Sequence, residues 1–190
     1  MLSSALEKLL RDDPVPQQFF ENAVIFAREF VDEYHHYKEE HQMFVFLAQK
    51  SGGIFDAQID ALRQQHEHGR MHVTRIVESV PGYLDREQAA ATEIVESLAA
   101  YIAMLRQHIH REDHAFYPIA QRVLTADDAE QLLFEFERAD AEARTGFVDE
   151  CRDRVLKMEA LLQVQPQAET RGSNTDPGGY QGHRGLNGVY

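Results

Sequence analysis

Tyr101–Val123, YIAMLRQHIHREDHAFYPIAQRV, decides the fold. Tyr101, Leu105, His108, Glu112, Ala115 and Ile119 lie three or four residues apart, so they line one face of one helix. That face is apolar at both ends and carries an imidazole and a carboxylate, one turn apart, in its middle. Burying an unpaired carboxylate is costly, so the pair needs a partner. A metal ion is one such partner; a buried salt bridge or a hydrogen-bonded histidine is the other. On this helix alone the second reading is the simpler.

The pattern recurs earlier, and that changes the balance. Ala27, Val31, His35, Glu39, Met43 and Phe46 form a second stripe running apolar, His, Glu, apolar. Each H-x-x-x-E is followed by an apolar–aromatic pair at one offset, Met43-Phe44 after Glu39 and Phe116-Tyr117 after Glu112. Two helices carrying one device read as two halves of one site. A third stripe, Ile59, Leu62, His66, Gly69/Arg70, Val73 and Val77, puts His66 on an inner face as well.

The remaining chain supports a helical bundle. Its 190 residues suffice for one domain with a sizeable core. No apolar run approaches the ~20 residues that cross a membrane. Glu7 and Lys8 interrupt the first apolar run, which makes a poor signal peptide. A soluble, cytoplasmic protein is expected. The net charge of −13 argues against nucleic acid and anionic membranes as partners. Cys151 is the single cysteine, which excludes an internal disulfide and a thiolate cluster. Histidine is the outlier, ten in all, with nine between His35 and His114.

In chain order, residues 2–11 make a short helix stopped by Asp12, Asp13, Pro14 and Pro16. A long helix follows from about Gln17 to Lys50, ended by Ser51-Gly52-Gly53. The next spans about Phe55 to Ser79, and Val80–Arg86 reads as a turn. The helix carrying His108 and Glu112 starts near Glu87, and Pro118 should kink its last turns. Thr125 with Asp128 looks like an N-cap pair opening one last helix, Ala126 to Leu162. From about Gln163 the chain holds six of its eleven glycines and two of its six prolines, which predicts a disordered tail over 163–190 in which His183 is incidental. The expectation is an all-α antiparallel four-helix bundle over 1–162 with an extra C-terminal helix.

Imidazole and carboxylate ligands without sulfur suit iron, manganese or zinc. His35, His66, His108, Glu39 and Glu112 are the candidate ligands. Read without a metal, they are satisfied core histidines and two buried ion pairs. Five together on facing stripes are a costly coincidence, because each unpaired one destabilises the fold. His36 and Glu40 repeat the spacing one residue on, but share a face with Asp32 and Glu33; they read as rim residues or alternative ligands. His68/His72 and His110/His114 read as solvated pairs. The zinc-protease pattern His-Glu-x-x-His is absent, and only Glu33-x-x-His36 matches a di-iron Glu-x-x-His.

HHYKEEHQMF, QHEHGR and QHIHREDHAFYP resemble, in order, the second, third and fourth helix motifs of the bacterial hemerythrin-like (HHE) cation-binding family. The likeness covers about Pro16 to Phe136. It implies a non-haem di-iron centre with His35, His66 and His108 as terminal ligands and Glu39 and Glu112 bridging. It also implies an open iron position that takes dioxygen, nitric oxide or peroxide. Two departures stand out. The family's first helix supplies a ligand histidine, and nothing before His35 is a histidine. Where hemerythrins proper carry a second histidine one turn after the third-helix ligand, this chain has Arg70; where relatives carry Glu before that ligand, it has Gln65.

The resulting expectation is an iron-binding carrier, sensor or scavenger of a small oxidant rather than an enzyme with a defined substrate. The alternatives are an all-α interaction protein with a degenerate metal site and a di-iron oxidase or peroxidase. The short first helix should leave an apolar groove, to be closed by residues upstream of Met1, by the histidine-free last helix, or by pairing of two chains. The first is favoured, because Leu2–Leu10 reads like the second half of a longer helix. It carries the further expectation of one iron or fewer per chain.

Overall fold

The computed structural model describes residues 1–163, so the expected tail and His183 lie outside the described residues. The described residues contain six helical rods and no strand. The first rod is α1, Leu2–Leu10, two turns of a strongly amphipathic sequence burying Ala5 and Leu9. The second is continuous through four segments: α2 Gln17–Ile25, the π-helix π1 Phe26–His36, a second π-helix π2 Glu39–Met43, and α3 Phe44–Ser51. Gly52, at φ +59°, ends it in the left-handed conformation that a Cβ disfavours.

The third rod, α4 Asp56–Leu84, passes through the expected turn. Pro81 sits in its last turns, where its missing N–H costs the ladder one bond close to the end of the helix. Tyr83 holds that end in place, its ring edge-on to Phe20 at 5.5 Å and its hydroxyl accepting from the Val15 N–H at 2.8 Å. The chain reverses only at Asp85–Arg86, where Arg86 takes φ +63°.

The fourth rod joins α5 Gln88–Arg111, π3 Glu112–Phe116 and α6 Tyr117–Val123. Pro118 falls in the first turn of α6, just after a π turn has reset the hydrogen-bond ladder, so its missing N–H does not end the rod. Thr125 and Asp128 cap α7 reciprocally, as their spacing predicts. The expected single last helix is two, α7 Ala126–Glu142 and α8 Phe147–Gln163, separated at Gly146 with φ +81°.

Two apolar cores fill the bundle. One gathers Ala5, Leu9, Phe19, Phe20, Ile76, Ile94, Leu98 and Met158. The other gathers Phe44, Leu47, Phe55, Ile59, Leu62, Phe116 and Leu132. On each of the three long rods a polar stretch separates the two: residues 32–40, 65–70 and 108–112. Of the three expected ways to close the bundle, the structure shows the histidine-free last helix doing so at the first core. Met158 is fully buried there, and Arg154 donates to Asn22 Oδ1 at 3.1 Å. Farther along, Phe147 stacks on Phe30 and meets Tyr34 at a tilt, at 6.3 and 5.2 Å between ring centroids.

Candidate metal centre

The polar layer collects His36, Glu39, His66, His108 and Glu112, all buried. Four of these are on the expected faces. The exception is the neighbouring pair on the second rod. The His36 side chain, expected at the rim, is 10% exposed, whereas the His35 side chain is 46% exposed. The cause is the π winding. Extrapolating from Ala27 and Val31 at 3.6 residues per turn makes His35 the inner residue. A π turn takes in extra chain, with each N–H reaching to a carbonyl five residues back, so the inner face slips by one residue across Phe26–His36. Glu39 then opens π2 as Glu112 opens π3, so both H-x-x-x-E devices end on a π turn.

Each buried imidazole is held by an acceptor at Nδ1. His66 Nδ1 lies 2.6 Å from Glu40 Oε1, His36 Nδ1 3.4 Å from Asp32 Oδ1 and His108 Nδ1 3.3 Å from Gln65 Oε1. An acceptor at Nδ1 fixes the tautomer and leaves the Nε2 lone pair free. Arg70 braces two of these acceptors, donating from Nε to Asp32 at 2.7 Å and from Nη2 to Glu40 at 2.8 Å, and also pairs with Glu67. A guanidinium has no lone pair to give a cation, so Arg70 acts here through its charge. Glu40 likewise turns its carboxylate to His66 and Arg70.

Inside the layer the polar atoms face one another without hydrogen bonds. His66 Nε2 is 3.3 Å from Glu39 Oε2, and His108 Nε2 is 3.2 Å from Glu112 Oε1, but neither contact is a hydrogen bond and all four atoms stay unpartnered. Tyr117 donates to the other Glu39 oxygen at 2.6 Å. Exposed His35 approaches that oxygen from outside, at 3.8 Å. His36 stacks on His66 with 3.7 Å between centroids.

The protonation states follow from this crowding. Burial, then the His66 charge, pushes His36 and His108 down to about 4, so both are neutral near pH 7. Burial and the negative charge of Glu39 push Glu112 upward. Burial would raise Glu39 too, but His66, His35 and the Tyr117 hydroxyl outweigh it and hold that carboxyl low.

Two sets of donor atoms lie within 4.8 Å of one another: His36, Glu39, His66 and His108, and His35, Glu39 and Glu112. They share Glu39. The neutral imidazoles of His36 and His108, the ionised Glu39 and a Glu112 that keeps its proton make a donor set that lacks a cation. All five expected ligand candidates are thus brought together, and His36 joins them. Helical spacing gives no part to Gln65 at His108 or to Tyr117 at Glu39, and marks Asp32 only as part of a wetter face. Asp32 had a usable signal, lying one turn before His36. His110 and His114 are exposed and stack only on each other, apart from the layer.

Beside the layer is a cavity of about 290 Å³ whose inner end is His36, His66 and His108. No helix among the described residues is long and apolar enough to cross a membrane.

The model of the hemerythrin HHE cation-binding domain matches residues 1–120. The match therefore takes in α1 and stops before α7, a shift from the span of about Pro16 to Phe136 that the motifs indicate. Uncharacterized proteins of Mycobacterium tuberculosis and Mycobacterium bovis are 29% identical over 132 residues, 70% of this chain and 51% of theirs. The chain spans about half the length of these curated relatives. No solved structure matches it.

Proposed function

We propose, from the premise that the chain belongs to the hemerythrin HHE cation-binding domain family, that it holds a pair of iron ions and through them binds or senses a small oxidant. Dioxygen, nitric oxide and peroxide are the candidates. The observation carrying this reading is the set of four buried, unpartnered atoms, Glu39 Oε2, His66 Nε2, His108 Nε2 and Glu112 Oε1, in one layer. Leaving such groups bare costs on the order of 1–3 kcal/mol each, which a bound cation removes.

In this proposal His36, His66 and His108 with Glu39 hold one ion, and His35, Glu39 and Glu112 hold the other. Iron supplies reversible electron donation to the oxidant. The chain's own residues do the rest. Glu40, Asp32 and Gln65 orient the imidazoles, and Tyr117 holds the Glu39 carboxylate. The side with His35 has fewer protein donors and more exposure, so the small ligand enters there. The protein acts in the cytoplasm as a carrier, sensor or scavenger.

Elemental analysis of protein purified without chelators, with an absorption spectrum in air, tests the proposal. Two irons per chain and near-ultraviolet charge-transfer bands are expected. His36 supplies the donor whose lack pointed to one ion or fewer. Fully helical protein without transition metal after iron-replete expression would leave the interaction-protein reading instead.

A further inference from the structure

We infer that the cavity beside the histidine layer binds a small uncharged organic molecule with an apolar body. The inference deepens the proposed function by adding a second ligand, and rests on it only for what lies at the cavity's inner end.

Size comes first. The cavity measures about 290 Å³. Liquid water takes about 30 Å³ per molecule, so a diatomic oxidant needs little more than that, whereas a cavity of about 150 Å³ accommodates benzene. The space is thus several times larger than the oxidant requires and falls near the lower end of organic-ligand pockets. A narrower space of about 90 Å³ shares Ala27, Val31, Val73, Tyr101 and Leu105 with it and continues toward Leu2 and Phe20. The two together suit an elongated guest.

The chemistry of the walls comes second. Val31, Val73, Tyr101, Met104 and Leu105 give an apolar surface. Arg28 and Arg70 are the lining cations, and Arg70 already donates from Nε, Nη1 and Nη2 to Asp32, Glu67 and Glu40. Asp32 and Glu33 also line the space. The formal charges of the walls cancel, Arg28 and Arg70 against Asp32 and Glu33, so a neutral guest is favoured over an anion. Its polar end would face the imidazoles, and its body would lie along Val73 and Leu105.

The test titrates the full chain with 1-hexanol, followed by ligand-observed NMR, with iron content measured on the same sample. Saturable binding is expected, tightening about threefold to fourfold per methylene from butanol to hexanol. Leu105→Trp and Val73→Phe should each weaken it at least tenfold, with helicity and iron content unchanged. On chelator-stripped protein, where a carboxylate cannot ligate iron, hexanoate should bind at least tenfold more weakly than hexanol. Nuclear Overhauser contacts from hexanol to the Met104 and Leu105 methyls of the unaltered chain locate the guest even if a filled variant misfolds. The inference is overturned by absent or unsaturable binding, by contacts elsewhere, by hexanoate binding as tightly, or by sedimentation showing a dimer that excludes hexanol. Iron without hexanol binding would sink this inference alone, and hexanol binding without iron would sink the metal proposal alone.

Discussion

Glu40 shows how a side chain outside both donor sets governs the centre. It accepts from His66 Nδ1 at 2.6 Å and is itself held by Arg70. Glu40→Gln keeps the size but removes the anionic acceptor, so iron affinity should fall about 10–100-fold, read by competition with a chelator. His36→Ala should strip iron as thoroughly as His108→Ala; retained iron in His36→Ala alone would return that residue to the rim. Acid has a definite sign. His36 and His108 titrate near 4 in the fold but near 6.5 in the unfolded chain. Their contribution is complete above about pH 6.5 and drains away as pH falls toward 4. Glu112 is shifted the other way, so its contribution is present at low pH and is lost as pH rises through its elevated value. The metal-free protein should therefore be most stable near pH 6–7, with urea midpoints falling on both sides. Iron, which displaces the Glu112 proton, should flatten the alkaline side. Glu39, His66, His108 and Glu112 were legible in the sequence because spacing alone puts them on inner faces. His36 was not, because its placement depends on a local winding that 3.6-residue periodicity does not contain.

At the scale of elements, the rods were legible from apolar spacing and their interruptions were not. The face Ala139, Ala143, Phe147, Cys151 stays periodic across the break at Gly146, so nothing in the pattern announced two helices. Pro81 and Gly82 read as a turn, yet the Tyr83 contacts with Phe20 and Val15 keep them helical. Gly82 is the sharper case. Helix propensity alone makes Gly→Ala favourable by up to about 1 kcal/mol. Here an added Cβ would sit 2.9 Å from the Ala90 Cβ, which is fixed to the α5 backbone. Gly82→Ala should thus destabilise the α4–α5 corner by about 1–3 kcal/mol in urea unfolding; a gain would mean that the corner is softer than drawn. Thr125→Ala removes the side-chain arm of the α7 cap, in which Thr125 Oγ1 accepts from the Asp128 N–H, and should cost about 1 kcal/mol.

For the whole molecule, the last helix is part of the first core. A chain ending at Glu142 loses Met158 and Leu162 from the cluster around Phe19 and Phe20. It should melt earlier and self-associate, as light scattering would show, because the uncovered surface is apolar. The layer of histidines and carboxylates lies between that core and the other on all three long rods. Without a cation, the layer offers little to make the two ends unfold together. Amide exchange of metal-free protein should then divide into two sets, one for each end, with separate opening free energies. Adding iron should merge them into one. Identical exchange of both ends without iron would defeat the idea. The ion then acts as a rivet between two half-domains, and its loss is transmitted through the backbone as independent loosening of each end, a change that a proteolytic or binding partner could read without touching the metal.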